Sequence, residues 1–233
     1  MNDDLITAEL GPAINWTPAQ RPPMTPLVGR YVTLEKLDPE THSAALYAAQ
    51  SGIGSDERTW LYMGNGPFAD EEAFREYTDR MAAGNDPAAY VVIPKGGEPA
   101  GLITYMRIEP NHGSIEIGHI WYGASIQRSP VTTEVVYLTA KHAFEDLGYR
   151  RFEWKCYSTN ERSKRAALRF GFQYEGTFRN HMVIRDRNRD TTWFAMTIED
   201  WPAIKAAFEA WLDPANFDAD GKQIRSLSSF RDQ

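Results

Sequence analysis

Between Ala89 and Tyr122 the chain passes three times through an apolar, β-branched run, and the links between the runs are too short for anything but tight turns. The runs cover 89–94, 100–108 and 114–122, with Lys95-Gly96-Gly97 and Asn111-His112-Gly113 between them. A parallel connection needs a crossover of a dozen or more residues, so these strands must form an antiparallel meander. The period then changes. Pro130 to Leu147 reads as a helix with Val136, Ala140, Ala143 and Leu147 on one face and Gly148 as its stop, and a strand, Arg151 to Tyr157, follows at once. Asn160 to Phe170 repeats the helical pattern and ends on Gly171, before two long strands near Phe172–Ile184 and Thr191–Ile198 joined through 186–189. Upstream, Arg30 to Leu37 alternates as a strand, and Asp38-Pro39-Glu40 supplies an N-cap followed by proline at the first helical position. A further helix starts at Ala69 or Asp70 and runs to Ala83, and Asp200-Trp201-Pro202 opens a last one that reaches about Leu212. The expected class is α+β, a mixed and mostly antiparallel sheet flanked by helices, without internal repeats.

A chain of 233 residues with 42% hydrophobic and 12% aromatic content can build one sizeable core, so one domain with decorated ends is expected. Pro12, Pro18, Pro22, Pro23 and Pro26 block regular structure near the start. Residues 1–27 therefore read as an extended proline-rich arm, 28–212 as the domain and 213–233 as a polar tail. Cys156 stands alone, which excludes an intramolecular disulfide, and the five histidines show no metal-site spacing, so no metal is expected. The first ten residues lack a signal-peptide pattern and no stretch approaches the length of a membrane span, which points to a soluble, cytoplasmic protein without a membrane partner. A net charge of -7 argues against a broad nucleic-acid surface and mildly favours a cationic partner, leaving the basic runs 162–169 and 185–189 to be explained. A homodimer is compatible with the sequence.

Three segments carry chemistry. In Ser129-Pro130-Val131-Thr132-Thr133 a hydroxyl residue followed by proline sets a helix start whose free N–H groups suit a pyrophosphate, or simply caps a packed helix. Strict alternation along 114–122 puts Glu116, Gly118 and Ile120 on one face and Ile117, His119 and Trp121 on the other. Glu116 is either a base that takes a proton from an ammonium or a salt-bridged strand residue, and parity assigns His119 to the opposite face as a structural histidine. Asn160 and Ser163 lie one turn apart at a helix start, where Asn160 can act as the cap.

The element order and three segments, 115–122, Gln127 to Glu134, and Asn160-Glu161-Arg162-Ser163 through Gly171-Phe172, resemble the GNAT superfamily over roughly residues 28–212, and most of all its RimJ/RimL-like branch. The resemblance implies the acyl-CoA N-acyltransferase fold and an enzyme that takes acetyl-CoA as co-substrate and passes the acetyl group to a primary amine, a protein N-terminus or a small molecule, by direct attack. It implies that two neighbouring strands, 114–122 and 151–157, splay apart at their C-terminal ends to receive the cofactor. The pantetheine would pair with the backbone of Ile120, Trp121 and Tyr122, and the diphosphate would rest on the turn carrying Gln127, Arg128, Ser129, Val131, Thr132 and Thr133. Asn160 would hold the pantetheine, Glu116 would be the base, and Ser163 would give a proton to the departing thiolate. The superfamily's Q/R-x-x-G-x-G/A turn keeps Gln127 here but has Pro130 and Thr132 where small residues belong, and Ala167 stands where a tyrosine acid is common. Arg162, Lys164, Arg165 and Arg169 either meet the 3′-phosphate or face water. By the same resemblance the strand with Arg179-Asn180-His181 would line the acceptor, unless these are ordinary surface strand residues; the loop 51–68, with Trp60 and Tyr62, is either the acceptor wall or an ordinary packed loop, and Cys156 reads as packing. The rival readings are a catalytically silent CoA-binding regulatory module and an interaction scaffold.

Overall fold

The computed structural model describes Leu10 and residues 13–231. Eight strands form one sheet in the order β1-β2-β3-β4-β5-β6-β8-β7. They are β1 (Leu27–Val28), β2 (Val32–Lys36), β3 (Ala88–Pro94), β4 (Gly101–Glu109), β5 (Ser114–Tyr122), β6 (Arg151–Tyr157), β7 (Gln173–Ile184) and β8 (Arg187–Thr197). The expected meander is present as β3-β4-β5, and every neighbouring pair is antiparallel except β5-β6. That exception arises because a helix, α3 (Pro130–Lys141), crosses between the two strands.

The remaining helices are α1 (Pro39–Ser51), α2 (Glu71–Ala83), α4 (Glu161–Phe170) and α5 (Trp201–Leu212). Their ends follow the sequence signals. Asp38 accepts from the Glu40 amide at the start of α1 and Asp70 from the Ala73 amide at the start of α2. Gly171 closes α4 with a φ of 97°, a left-handed geometry that glycine takes without steric cost. The long helix expected from Pro130 to Leu147 loses regular pitch after Lys141 and finishes as a π-turn over His142–Asp146.

Each face of the sheet has its own core. Leu46, Trp60, Phe74, Tyr77, Leu102 and Trp121 pack under α1 and α2, and Val135, Ala140, Phe152, Phe194, Phe208 and Trp211 pack under α3 and α5. The buried carboxylate of Glu134 on α3 accepts from the backbone amides of Arg30, Tyr31 and Val32 at 2.7, 2.6 and 3.0 Å, which ties the edge of the sheet to that helix.

Of the expected arm, residues 13–26 run without regular secondary structure, and Ala19 and Gln20 donate backbone bonds to Pro110 and Leu147; residues 1–9, 11 and 12 lie outside the described residues. The segment after α5 is anchored at two points. Leu227 is fully buried, and the Asn216 side chain donates to the Trp211 carbonyl and accepts from the Arg225 amide.

Candidate active site

β5 and β6 are paired only from Ser114↔Arg151 to Ile117↔Trp154. Beyond Ile117 the edge of β5 that faces β6 is open, so backbone groups of Gly118 to Tyr122 on that edge are available to a ligand lying between the strands. The splay implied by the resemblance is therefore present, and α3 and α4 both begin at the gap. Arg169 of α4 donates to the Thr133 hydroxyl of α3 at 3.1 Å, which ties the two helices together. Arg169 is not a solvated surface cation. Its guanidinium lies 5.0 Å from the Trp211 ring, and burial pushes its pKa down.

The turn before α3 differs in detail from the expectation. The Ser129 hydroxyl does not cap the helix; it donates to the Ile126 carbonyl at 2.6 Å. Gln127 donates its side-chain amide to the Tyr122 carbonyl at 2.8 Å, so it braces the end of β5. Arg128 takes a φ of 59°, Val131 is half-buried, and the Thr132 hydroxyl donates to the Ser129 carbonyl at 3.2 Å. The first-turn amides of α3 stay without side-chain caps, which fits an anionic diphosphate.

On α4 Asn160 accepts from the Ser163 amide at 3.1 Å and is the helix cap. The Ser163 oxygen accepts from the Trp154 indole N–H at 2.9 Å, and its hydroxyl also lies in hydrogen-bonding reach of the Cys156 thiol. Ala167 is fully buried, so no group at that position reaches the gap.

Strict alternation fails in β5, and the reason is a bulge. The pairing with β4 jumps from Leu102↔Trp121 to Thr104↔Gly118, and His119 takes a left-handed φ of 47°. Trp121 thereby returns to the face of Glu116 and joins the core under α1 and α2, while Ile120 packs on the opposite core. His119 is also turned. It lies within the field of Arg107 and Arg189. Burial and those two cations lower its pKa, and its buried Nδ1 has no hydrogen-bond partner.

Two more bulges surround the same spot, and neither is visible in the sequence pattern. Arg107 in β4 has a φ of 47° and reaches Glu116 Oε2 at 2.8 Å. Asn180 in β7 has a φ of 50°, and its amide donates to Asp190, where the register shifts between Phe178 and Met182. Glu116 is only 3% exposed. Its Oε2 also meets Lys155 Nζ at 2.8 Å, and Lys155 in turn meets Glu153 at 2.7 Å and lies 3.8 Å over the Trp193 ring. Arg151 continues the chain to Glu153 and Glu175. Burial raises the Glu116 pKa, and the two cations oppose that rise. Glu116 is thus a salt-bridged strand residue as well as a carboxylate on the cleft floor. Cation spacing on separate strands gave no sequence signal for Arg107, Lys155 or Arg189.

The connection between α1 and α2 covers this floor. Tyr62 stacks 5.3 Å from Tyr157 and donates to the Thr159 carbonyl, Trp60 packs 5.5 Å from Trp121, and Arg185 at the β7-β8 tip donates to the Gly66 carbonyl at 2.7 Å. His181 lies 6.1 Å from Trp193. Cys156 is buried.

Comparison with known proteins agrees with this geometry. The family model described as an acetyltransferase (GNAT) domain matches residues 32–173. The chain is 31% identical over 112 residues to the ribosomal-protein-serine acetyltransferase of Escherichia coli K12, covering 48% of this chain and 62% of that protein, so it spans less than two thirds of that relative. A GCN5-related N-acetyltransferase structure from Brucella melitensis is 44% identical with a TM-score of 0.91, covering 94% of this chain and 99% of that one. A structure from Chromobacterium violaceum, named a probable acetyltransferase of the GNAT family, is 41% identical with a TM-score of 0.76, covering 82% and 96%. No helix among the described residues is long and apolar enough to cross a membrane.

Proposed function

Since this chain belongs to the GNAT acetyltransferase family, whose members take their acetyl group from acetyl-CoA, we propose that it transfers that group to a primary amine, either the N-terminus of a protein or a small molecule. The observation that carries the reading is the early end of β5-β6 pairing at Ile117 and Trp154, with two helix starts at the mouth of the gap. The relative named a ribosomal-protein-serine acetyltransferase supports a protein among the acceptors.

The open edge of Ile120, Trp121 and Tyr122 pairs with the pantetheine, and the amides of Val131, Thr132 and Thr133, with Gln127, Arg128 and Ser129 shaping the turn, hold the diphosphate. Asn160 fixes α4 so that Ser163 faces the gap. Acetyl-CoA supplies an acetyl thioester. Glu116 takes a proton from the acceptor ammonium, the freed amine nitrogen bonds to the carbonyl carbon as the carbon–sulfur bond breaks, Ser163 passes a proton to the departing sulfur, and the proton that the acylated nitrogen then sheds restores the Ser163 hydroxyl, leaving an amide, a free thiol and a protonated Glu116. The Glu116 oxygen suited to this work is Oε1, since Arg107 and Lys155 both reach Oε2, and it lies beside Gly118, where an added Cβ would be 3.6 Å away.

The experiment is thiol release from acetyl-CoA with peptides and small amines, run beside thermal melting with CoA. Acetylated product from any amine supports the reading. Stabilisation by CoA without turnover on any acceptor favours a silent binding module, the alternative that Ala167 in the tyrosine position motivates.

A further inference from the structure

The cleft floor holds one cation that acetyl transfer does not use. Arg107 and Lys155 are balanced by Glu116, Lys155 again by Glu153, and Arg151 by Glu153 and Glu175. Arg189 differs. Its Nε donates to the Thr191 hydroxyl at 3.0 Å and its guanidinium lies 4.5 Å over the Tyr157 ring, but no carboxylate among the described residues comes within ion-pair distance of it. It is half-buried, so water replaces the missing partner only in part, and burial lowers its pKa.

Its strand neighbour Trp193 shows the same want of an acceptor. The Trp193 indole nitrogen, which can only donate, is buried without a partner. His181 Nδ1 shares the Thr191 hydroxyl at 3.0 Å and lies 6.1 Å from Trp193, so Arg189, Thr191, His181 and Trp193 make one patch on the face that carries Lys155. Leaving buried donors unpaired is costly, and a guanidinium fork and an indole N–H on the same strand face suit the oxygens of an anion. The patch is cationic in a chain of net charge -7.

We propose that Arg189 and the Trp193 N–H form an anion-recognition subsite of the acceptor cleft, and that the acceptor is a primary amine bearing a carboxylate or phosphate close to the amine. This rests on the acetyl-transfer reading and sharpens its substrate class. The anion fixes the acceptor against β8 while its amine points toward Glu116.

The test uses matched acceptors that differ only in the anion: serine with serinamide, and phosphoethanolamine with ethanolamine. Each is measured for acetylation in the presence of acetyl-CoA and for binding to the CoA-loaded protein by calorimetry, in the parent and in Arg189→Gln, with melting curves to show that the variant is folded. The expected result is a preference of about tenfold or more for the anionic member of at least one pair, expressed mainly in KM, that falls to about one in Arg189→Gln and recovers in part in Arg189→Lys. The pair that shows the preference tells carboxylate from phosphate. Equal handling of both members of both pairs by the parent, or a preference that survives in Arg189→Gln, overturns the subsite. If no acceptor turns over, the acetyl-transfer reading fails by itself, and the binding preference still decides the subsite.

Discussion

The indole N–H of Trp154 donates to the hydroxyl oxygen of Ser163 at 2.9 Å, so the residue proposed to protonate the leaving sulfur is held by the core beneath it. Trp154 is 7% exposed, and no water competes easily for that bond. Ser163→Ala therefore has two effects. It strands a buried donor, lowering stability by about 1–3 kcal/mol, and it slows turnover. Trp154→Phe strands nothing, since the hydroxyl it frees can meet water, and it should keep more activity than Ser163→Ala. Chemical denaturation together with steady-state rates separates the two; equal turnover in both variants would remove Ser163 from the proton path.

Glu116→Gln keeps the shape of the cleft floor but removes the base and one negative charge between Arg107 and Lys155. Because burial raises the Glu116 pKa, the acidic limb of the rate profile should lie above the ordinary glutamate range, with activity gained as pH rises through it. The variant should lose about 10²-fold or more in kcat together with that limb. A parent and variant with the same pH profile would leave Glu116 a structural ion-pair partner only.

His119 supplies a pH effect on stability. Its pKa in the fold lies below the ordinary value of 6.5, so between the two values the unfolded chain binds more protons than the folded one. The contribution is complete above pH 6.5 and is lost as the pH falls toward the folded value. Melting temperatures of the parent should thus drop more steeply over that interval than those of His119→Gln, and parallel curves would contradict the placement of His119 in the field of Arg107 and Arg189.

The Glu134 carboxylate accepts three backbone amides and is flanked by Gly29, where an added Cβ would come within 2.4 Å of the carboxyl carbon. Glu134→Ala strands three donors and should cost about 3 kcal/mol or more. Gly29→Ala should also destabilise by pushing the carboxylate off its partners. Urea unfolding measures both, and a change near zero in Glu134→Ala would mean that water replaces the carboxylate.

Saturating CoA should raise the melting temperature, since a ligand at a hundred times its Kd adds about 2.7 kcal/mol when it binds only the fold. Thr133→Arg places bulk beside Arg169 and should reduce that gain.

Much of this was readable in advance because it depends on local rules. Short turns fixed the meander, and caps at Asp38, Asp70 and Asn160 and the stop at Gly171 set helix ends within a residue or two. The cofactor gap followed from the family pattern. What escaped was non-local. Strict alternation misplaced Ile120 and Trp121 because nothing in a one-dimensional pattern shows that β4 presents one residue opposite two of β5. The ion chain from Arg107 to Glu175 draws on four strands, and the burial of Arg169 depends on Trp211, far along the chain.

Across the bulge at His119 one strand serves two cores. Ile115 and Ile117 belong to the layer under α3, whereas Trp121, four residues after Ile117, belongs to the aromatic cluster under α1 and α2. Deleting His119 would leave Gly118 opposite Thr104, Ile120 opposite Ile103 and Trp121 opposite Leu102, so the ladder would heal with Trp121 still against Trp60 and Phe74. Neither core needs the extra residue, and the left-handed kink it creates belongs to the cleft edge alone.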